Sequence, residues 1–376
     1  MKCRSTFTQD AYDRACSSFD ESDYENASLS KAAALVVGVH NPIALAVAIE
    51  LAKKGCRLYV LSADKKKGTD ALGRIVSSYP SSCSFLPKLY IHDISNIHQV
   101  KAFIEELTKD LHALSDHLSI VLFEEESVQA HWNEPTEEVP MQPDFCSHVL
   151  SLYCLLSQLI YLNLFDSSRE AGKYPHARVI VIENPALLRR SLLPNNLEGS
   201  NWKKSFKSGR AYANFKRQQM ELIIYFAAVH RDIHFYGVNP GLVNNSALKY
   251  LSSTTLSSMK KKCRTTEQAA DGVAWAAIFP LLSSQIPSGS LILDRKVSPA
   301  YLCFCSSKPS TARRERFAQR LNQYKLKYYD EVRETPTQGS ISTKSSQLIA
   351  PDSDAIYNNP ELPSYSDNDA NLNKKH

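Results

Sequence analysis

Short runs of β-branched and other apolar residues alternate along this chain with stretches whose apolar positions recur at helical spacing. From Lys31 the strand-like runs are Leu35 to Val37, Arg57 to Leu61, Leu89 to Ile91, Leu118 to Phe123, Arg178 to Ile182, Ile233 to Val238 and Ser290 to Leu293. Between them Ile43 to Lys53, Ile97 to Leu107, His148 to Phe165, Tyr212 to Val229 and Glu267 to Phe279 carry the 3.6-residue period. Strict strand-helix alternation predicts a parallel sheet covered by helices on both faces. Because parallel crossovers are right-handed, the expected fold is a doubly wound, Rossmann-type α/β domain.

After the last strand, Ser310 to Val332 places Phe317, Leu321, Tyr324 and Tyr328 at spacings of four, three and four, an apolar stripe that predicts one docked helix. From Thr335 the chain turns to Ser, Asn, Asp and Pro with few large apolar residues, too few to repay the entropy of ordering. The expected organisation is an N-terminal extension (1–30), a Rossmann-like domain (31–300), a C-terminal helical extension (301–334) and a disordered tail (335–376).

Composition narrows the function classes. The 376 residues are 43% hydrophobic and 22% charged, enough for one large core, but hold only 12 Gly, few for a fold that cradles phosphates on glycine loops. A net charge of +5, with Lys65–Lys67 and Lys260–Lys262 far apart, lacks the concentrated basic stripe of a nucleic-acid groove. Nine Cys, an odd number without paired C-x-x-C motifs, imply reduced thiols and a cytoplasmic setting. The close pair Cys303-x-Cys305 lacks further ligands, so no metal is expected. The first 30 residues show no signal-peptide core, and the longest apolar segment, His148 to Phe165, is broken by Ser151, Ser157, Gln158 and Asn163, so no membrane span is expected.

The order of several motifs carries a resemblance. Ala34-Leu-Val-Val-Gly-Val-His-Asn-Pro-Ile-Ala44, Ala48 to Gly55, Leu58 to Leu61, His92-Asp-Ile-Ser95, Tyr212-Ala-Asn-Phe-Lys216-Arg-Gln-Gln, Asn239-Pro-Gly241 and Asp294-Arg-Lys296 follow one another as in the short-chain dehydrogenases/reductases. The chain resembles that family over residues 7 to 330. The resemblance implies NAD(P)(H) as cofactor, an acid/base pair in Tyr212 and Lys216, and cofactor contacts at Gly38, Asp93, Asn239 and Gly241. It also implies that His148 stands at the family's active-site Asn position and Asn184 at its Ser position. The family's pairing of helices across a two-fold axis implies a homodimer as one assembly.

Departures from the family pattern gather in the cofactor site. Where the family has Thr-Gly-x-x-x-Gly-x-Gly, this chain has Val37-Gly38-Val-His-Asn-Pro42-Ile-Ala44, which keeps only the first Gly. Pro42 puts a ring and no N–H where a pyrophosphate approaches the helix N-terminus. Asn41-Pro42 instead reads as an N-cap followed by Pro at the first helical position, a good helix start with a weakened anion site. Gly38 reads equally as a tight turn or as a residual cofactor contact.

The family's Asn-Asn-Ala-Gly after the fourth strand is replaced by Phe123-Glu-Glu-Glu126. At about 8 Å and an effective dielectric of about 20, each inward Glu costs a phosphate on the order of 2 kcal/mol before screening. Asn184 has no hydroxyl with which to relay a proton, His148 reads as a core or helix-surface residue beside a proton-transfer role, and Asp93 reads equally as a helix cap. Tyr212 and Lys216, four apart on one helix face, are expected to interact so that the ammonium lowers the phenol's pKa.

Two functions follow. One is a degenerate fold with weak or absent NAD(P)(H) binding and impaired or lost oxidoreductase activity, kept to bind a protein partner or small-molecule ligand. The other is a working NAD(P)(H)-dependent oxidoreductase acting on a carbonyl or alcohol through a remodelled loop. A third, an adaptor role, rests only on tail motifs such as Pro360 to Tyr365.

Overall fold

The computed structural model describes residues 6–331 except 84, 128, 167–176, 244–259 and 303–307. The Cys303-x-Cys305 pair and the tail from Thr335 lie outside the described residues. The strands are β1 (Ala33–Val37), β2 (Arg57–Ser62), β3 (Lys88–Ile91), β4 (Leu118–Phe123), β5 (Arg178–Ile182), β6 (His234–Val238), β7 (Leu291–Leu293) and β8 (Lys296–Ser298). They form one sheet in the order β3-β2-β1-β4-β5-β6-β7-β8, parallel throughout except for the last pair. This is the doubly wound topology, with its reversal of strand order beside β1.

The central strands are apolar at nearly every position because both faces are covered. Successive residues of β1 enter opposite cores: Leu35 and Val37 join one cluster, Ala34 and Val36 the other. The first cluster includes the helices α5 (Ile97–Leu114), α6 (Ser151–Tyr161) and α7 (Ser208–Val229), the second α3 (Pro42–Lys53), α4 (Lys65–Val76) and α8 (Thr266–Ile278). Two short helices, α1 (Gln9–Cys16) and α2 (Ser22–Asn26), precede the sheet, and α9 (Thr311–Tyr324) follows it.

The differences from the sequence reading have physical causes. The segment starting at His148 is entered through a π-helical turn, Cys146–Leu150, before α6 begins. Helix α4 opens on three lysines and Gly68 and carries its larger apolar residues only in its second half, from Ala71 to Val76; Asp64 caps it by accepting from Lys67 N–H at 2.9 Å. Strand β8 follows a two-residue turn at Asp294-Arg295 that contains no Gly, although both residues have positive φ (51° and 62°). Arg295 is held there by Glu21 at 2.9 Å, Asp271 at 2.6 Å and the Phe19 ring at 4.2 Å.

Both extensions pack on the domain. Leu242 N–H donates to Phe7 O at 2.7 Å, and Tyr12 of α1 lies under the Arg264 guanidinium at 5.2 Å. Phe317 and Leu321 of α9 are buried as the stripe predicts, and Tyr324 meets Phe145 edge to face at 5.1 Å. No helix among the described residues is long and apolar enough to cross a membrane.

Candidate functional site

The carboxyl ends of β1, β4 and β5 meet where this topology places a ligand crevice. Gly38 opens the turn after β1 with φ 85°, and a Cβ there would collide with the Glu124 carbonyl oxygen at the end of β4. Its conformational freedom therefore serves a close backbone approach within the chain.

The turn's amides are largely occupied. Gly38 and Val39 N–H both donate to Leu61 O of β2, at 3.0 and 2.9 Å, and Asn41 N–H donates to Gly38 O at 2.8 Å. Asn41 takes the N-cap backbone conformation of α3, but its side chain makes no capping bond, contrary to the sequence expectation. The cap comes from across the sheet: the buried Glu124 carboxyl accepts from Ala44 N–H at 2.8 Å. A long-range acceptor thus holds the helix start, and the Asn41 Nδ2 has no hydrogen-bond partner among the described residues.

Glu124 is 1% exposed, and burial, reinforced by Glu126, pushes its carboxyl well above the ordinary range against the pull of the Ala44 amide. Glu125 is also buried and accepts from Ser127 N–H at 2.7 Å. Of the turn's amides, those of Gly38, Val39, Asn41 and Ala44 are engaged internally and Pro42 has none. An anion site at a helix start works through free N–H groups, and these four amides are not free.

Tyr212 and Lys216 lie together on α7, with the ammonium 5.7 Å from the ring centre. The expected lowering of the phenol's pKa does not occur. Burial pushes Tyr212 well above the ordinary phenol range, and Glu126, Glu124, Glu183 and Glu125 add to the rise. Lys216 is 1% exposed, lowered by burial, and donates to Ile182 O at 2.7 Å, so it ties α7 to the end of β5.

His148 is fully buried, stacked on Phe215 at 5.6 Å and edge-on to Tyr212 at 5.8 Å. Its Nε2 lies 2.7 Å from Ser127 O, and burial, with Lys216 adding, lowers the imidazole to about 4. At neutral pH it is an uncharged core residue that donates to that carbonyl.

Asn184 serves the local backbone. Its Oδ1 accepts from Ala186 N–H at 2.9 Å and caps the short helical turn Pro185–Arg189. Its neighbour Glu183 is 1% exposed with neither carboxyl oxygen hydrogen-bonded among the described residues, and burial pushes it up to about 8. Asp93 is exposed and accepts from Ser95 N–H at 2.9 Å, while Asn96, not Asp93, caps α5. Asn239 accepts from Gly241 N–H at 2.9 Å, and a Cβ on Gly241, at φ 84°, would strike the Arg264 guanidinium. Arg264 in turn grips Asp294 through two nitrogens at 2.6 and 2.9 Å, which fixes the Asn-Pro-Gly turn against β7.

The structure therefore brings Tyr212, Lys216 and His148 together and leaves Asn184, Asp93, Asn239 and Gly241 in local structural roles. The sequence reading took Lys216-Arg-Gln-Gln as part of the family pattern and missed its structural role. Lys216 bonds Ile182 O; Arg217 bonds Leu187, Arg190 and Ala300 carbonyls at 3.0, 3.1 and 2.7 Å; Gln218 bonds Leu197 O at 3.0 Å; and Gln219 bonds His148 O at 2.7 Å. Four consecutive polar residues on a helix ordinarily mark a solvated face. Here they stitch α7 into the domain, and the one available signal was their position just before the apolar run Leu222 to Phe226. Among the described residues no group of three or more His, Cys, Asp or Glu side chains is placed to hold a metal ion.

The doubly wound sheet and the motifs set in order along it are similar to those of the short-chain dehydrogenases/reductases. Dehydrogenase/reductase SDR family member 12 of Homo sapiens is 26% identical to it over 317 residues, which cover 84% of this chain and 93% of that protein. A Serratia marcescens short-chain dehydrogenase/reductase superposes with a TM-score of 0.51 at 14% identity, covering 70% of this chain and 96% of that one. The angucycline C-6 ketoreductase LanV with bound NADP gives 0.52 at 14% identity over 71% and 95% of the two chains. These two likenesses are ones of fold. No family model matches the chain.

Proposed function

We propose that this chain is a short-chain dehydrogenase/reductase fold whose cofactor site is closed by its own residues, with NAD(P)-dependent turnover lost or strongly impaired and the fold kept as a binding or interaction protein. One observation carries the reading. Glu124 bonds the Ala44 amide at 2.8 Å, at the helix start where the fold's diphosphate would be held. The carboxyl occupies that amide sterically whether or not it is ionised, and when ionised it also repels phosphate.

Calorimetric titration with NADPH and with NADH at moderate salt tests this. No heat of binding is expected with the native chain. The combined change Pro42→Gly, Glu124→Asn, Glu125→Ala, Glu126→Gly and Asn184→Ser is expected to recover cofactor binding before any turnover, since a hydride donor must be held before an acid can assist. Micromolar affinity of the unmodified chain for either dinucleotide defeats the proposal.

The alternative, an active oxidoreductase on a carbonyl or alcohol, draws support from the contact of Tyr212 with Lys216 and His148. It is separated by Tyr212→Phe. The Tyr212 hydroxyl makes no hydrogen bond to another described residue, so the change is expected to leave stability within about 1 kcal/mol. Any carbonyl reduction that uses this phenol falls by about 10²-fold or more in the same variant. Activity that survives the change places the chemistry elsewhere.

A further inference from the structure

Helix α9 has two faces of opposite character. Its inner face buries Phe317, Ala318 and Leu321, and Arg314 bonds the fully buried Glu221 at 3.0 Å. Its outer face carries Arg313, Arg316 and Arg320, all exposed and none paired with a carboxylate among the described residues. At positions i, i+3 and i+7 they share one side over about 10 Å of helix.

A groove of about 360 Å³ runs beside the first two arginines, with Pro194 and Ala312 in its wall. Through Pro194, Asn195 and Arg313 it joins a second groove of about 230 Å³ that reaches Leu193 and Trp202. Among the described residues neither groove has an acidic residue in its lining, and the exposed Lys204 and Lys207 lie just beyond Trp202 in the chain.

We infer that this groove docks an acidic peptide segment of a partner protein. Leu193, Pro194 and Trp202 offer an apolar wall for one or two nonpolar side chains, while Arg313 and Arg316 offer forked donors to carboxylates along the rim. A single aromatic beside an aliphatic wall suits a peptide better than a nucleic-acid strand, which needs successive stacking platforms. The site lies on α9 and the 193–202 loop, so it goes beyond the cofactor reading and is tested independently of it.

The test is fluorescence anisotropy of the full chain with a labelled 12-residue peptide of alternating Glu and Leu. Saturable binding is expected, weakening as salt is raised. Arg313→Glu with Arg316→Glu is expected to reduce affinity by about tenfold or more. Acidic residues in the first turns suit the helix dipole and leave Phe317 and Leu321 untouched, so α9 stays docked, which far-UV circular dichroism verifies. Trp202→Ala supplies a second variant, expected to weaken binding severalfold without altering the charge. Failure to bind, equal binding by the charge-reversed variant, or tighter binding to a single-stranded RNA oligomer or to anionic vesicles than to the peptide overturns the inference.

Discussion

Replacing Arg217 by Met is expected to lower the stability of the domain by about 3–5 kcal/mol, the range found when one member of a buried charged network is removed. Arg217 is fully buried, and its guanidinium serves three backbone carbonyls and Glu221, which lies 3.3 Å away and is itself without exposure. Tyr301 lies under the same guanidinium at 4.7 Å, and Arg314 brings α9 to the other oxygen of Glu221. A Met of similar length fills space but strands those carbonyls in a dry interior, where each unmet acceptor is costly. Urea denaturation reads the effect as a lower midpoint at an unchanged slope. A loss below about 1 kcal/mol would show that the carbonyls reach water and that the network does not hold the 187–190 and 300–301 segments.

Glu183→Gln is expected to change how stability depends on pH. The folded carboxyl is raised by burial from 4.5 to about 8, so between those values the folded chain keeps a proton that the unfolded chain has released. Its contribution is fully present below 4.5 and is lost as pH rises towards 8. His148 acts with the opposite sign: lowered from 6.5 to about 4, it contributes above 6.5 and loses that contribution as pH falls through 4. The two oppose each other from 4.5 to 6.5, and Glu183 alone of this pair acts above.

At about 1.4 kcal/mol per pH unit, the native chain is expected to lose roughly 2 kcal/mol from Glu183 between pH 6.5 and 8. The Gln variant has no such proton to lose. Lys216, lowered by burial, works in the other direction, and because it faces Glu183 the difference between the two profiles reads Glu183 together with its effect on Lys216. Denaturation midpoints taken at half-unit steps supply the measurement. Parallel profiles would mean that Glu183 stays ionised in the fold, compensated by Lys216.

The proposed closure of the cofactor site and the stitching of α7 are two sides of one change. The dinucleotide crevice of an α/β sheet leaves polar groups at the strand ends for a ligand to satisfy. In this chain Glu124 meets the helix start, Lys216 meets the end of β5, and Arg264 meets Asp294 beyond β6. Each takes a bond that the chain makes with itself, which lets the strand ends pack without a ligand. Glu183, with no hydrogen-bond partner for either oxygen among the described residues, is the exception.

The strands and long helices were legible from the chain alone because burial on both faces writes the apolar runs Ile120 to Phe123 and Val179 to Ile182 into β4 and β5, and burial on one face writes a helical period into α5 and α9. The loss of the glycine turn was equally legible, since Pro42 and Ala44 state by themselves which amide and which space are gone. Only the tertiary structure decided what replaced them. Asn41 looked like the cap of α3 by its neighbours in sequence, yet the acceptor is Glu124, 80 residues from the Ala44 amide that it binds. Tyr212 looked activated by Lys216, yet desolvation and four glutamates raise its pKa. Local patterns report backbone propensity and the side of an element that faces water. Which carboxyl reaches an amide, and how dry a phenol becomes, depends on strand ends brought together by the sheet, and no window of the sequence contains both partners.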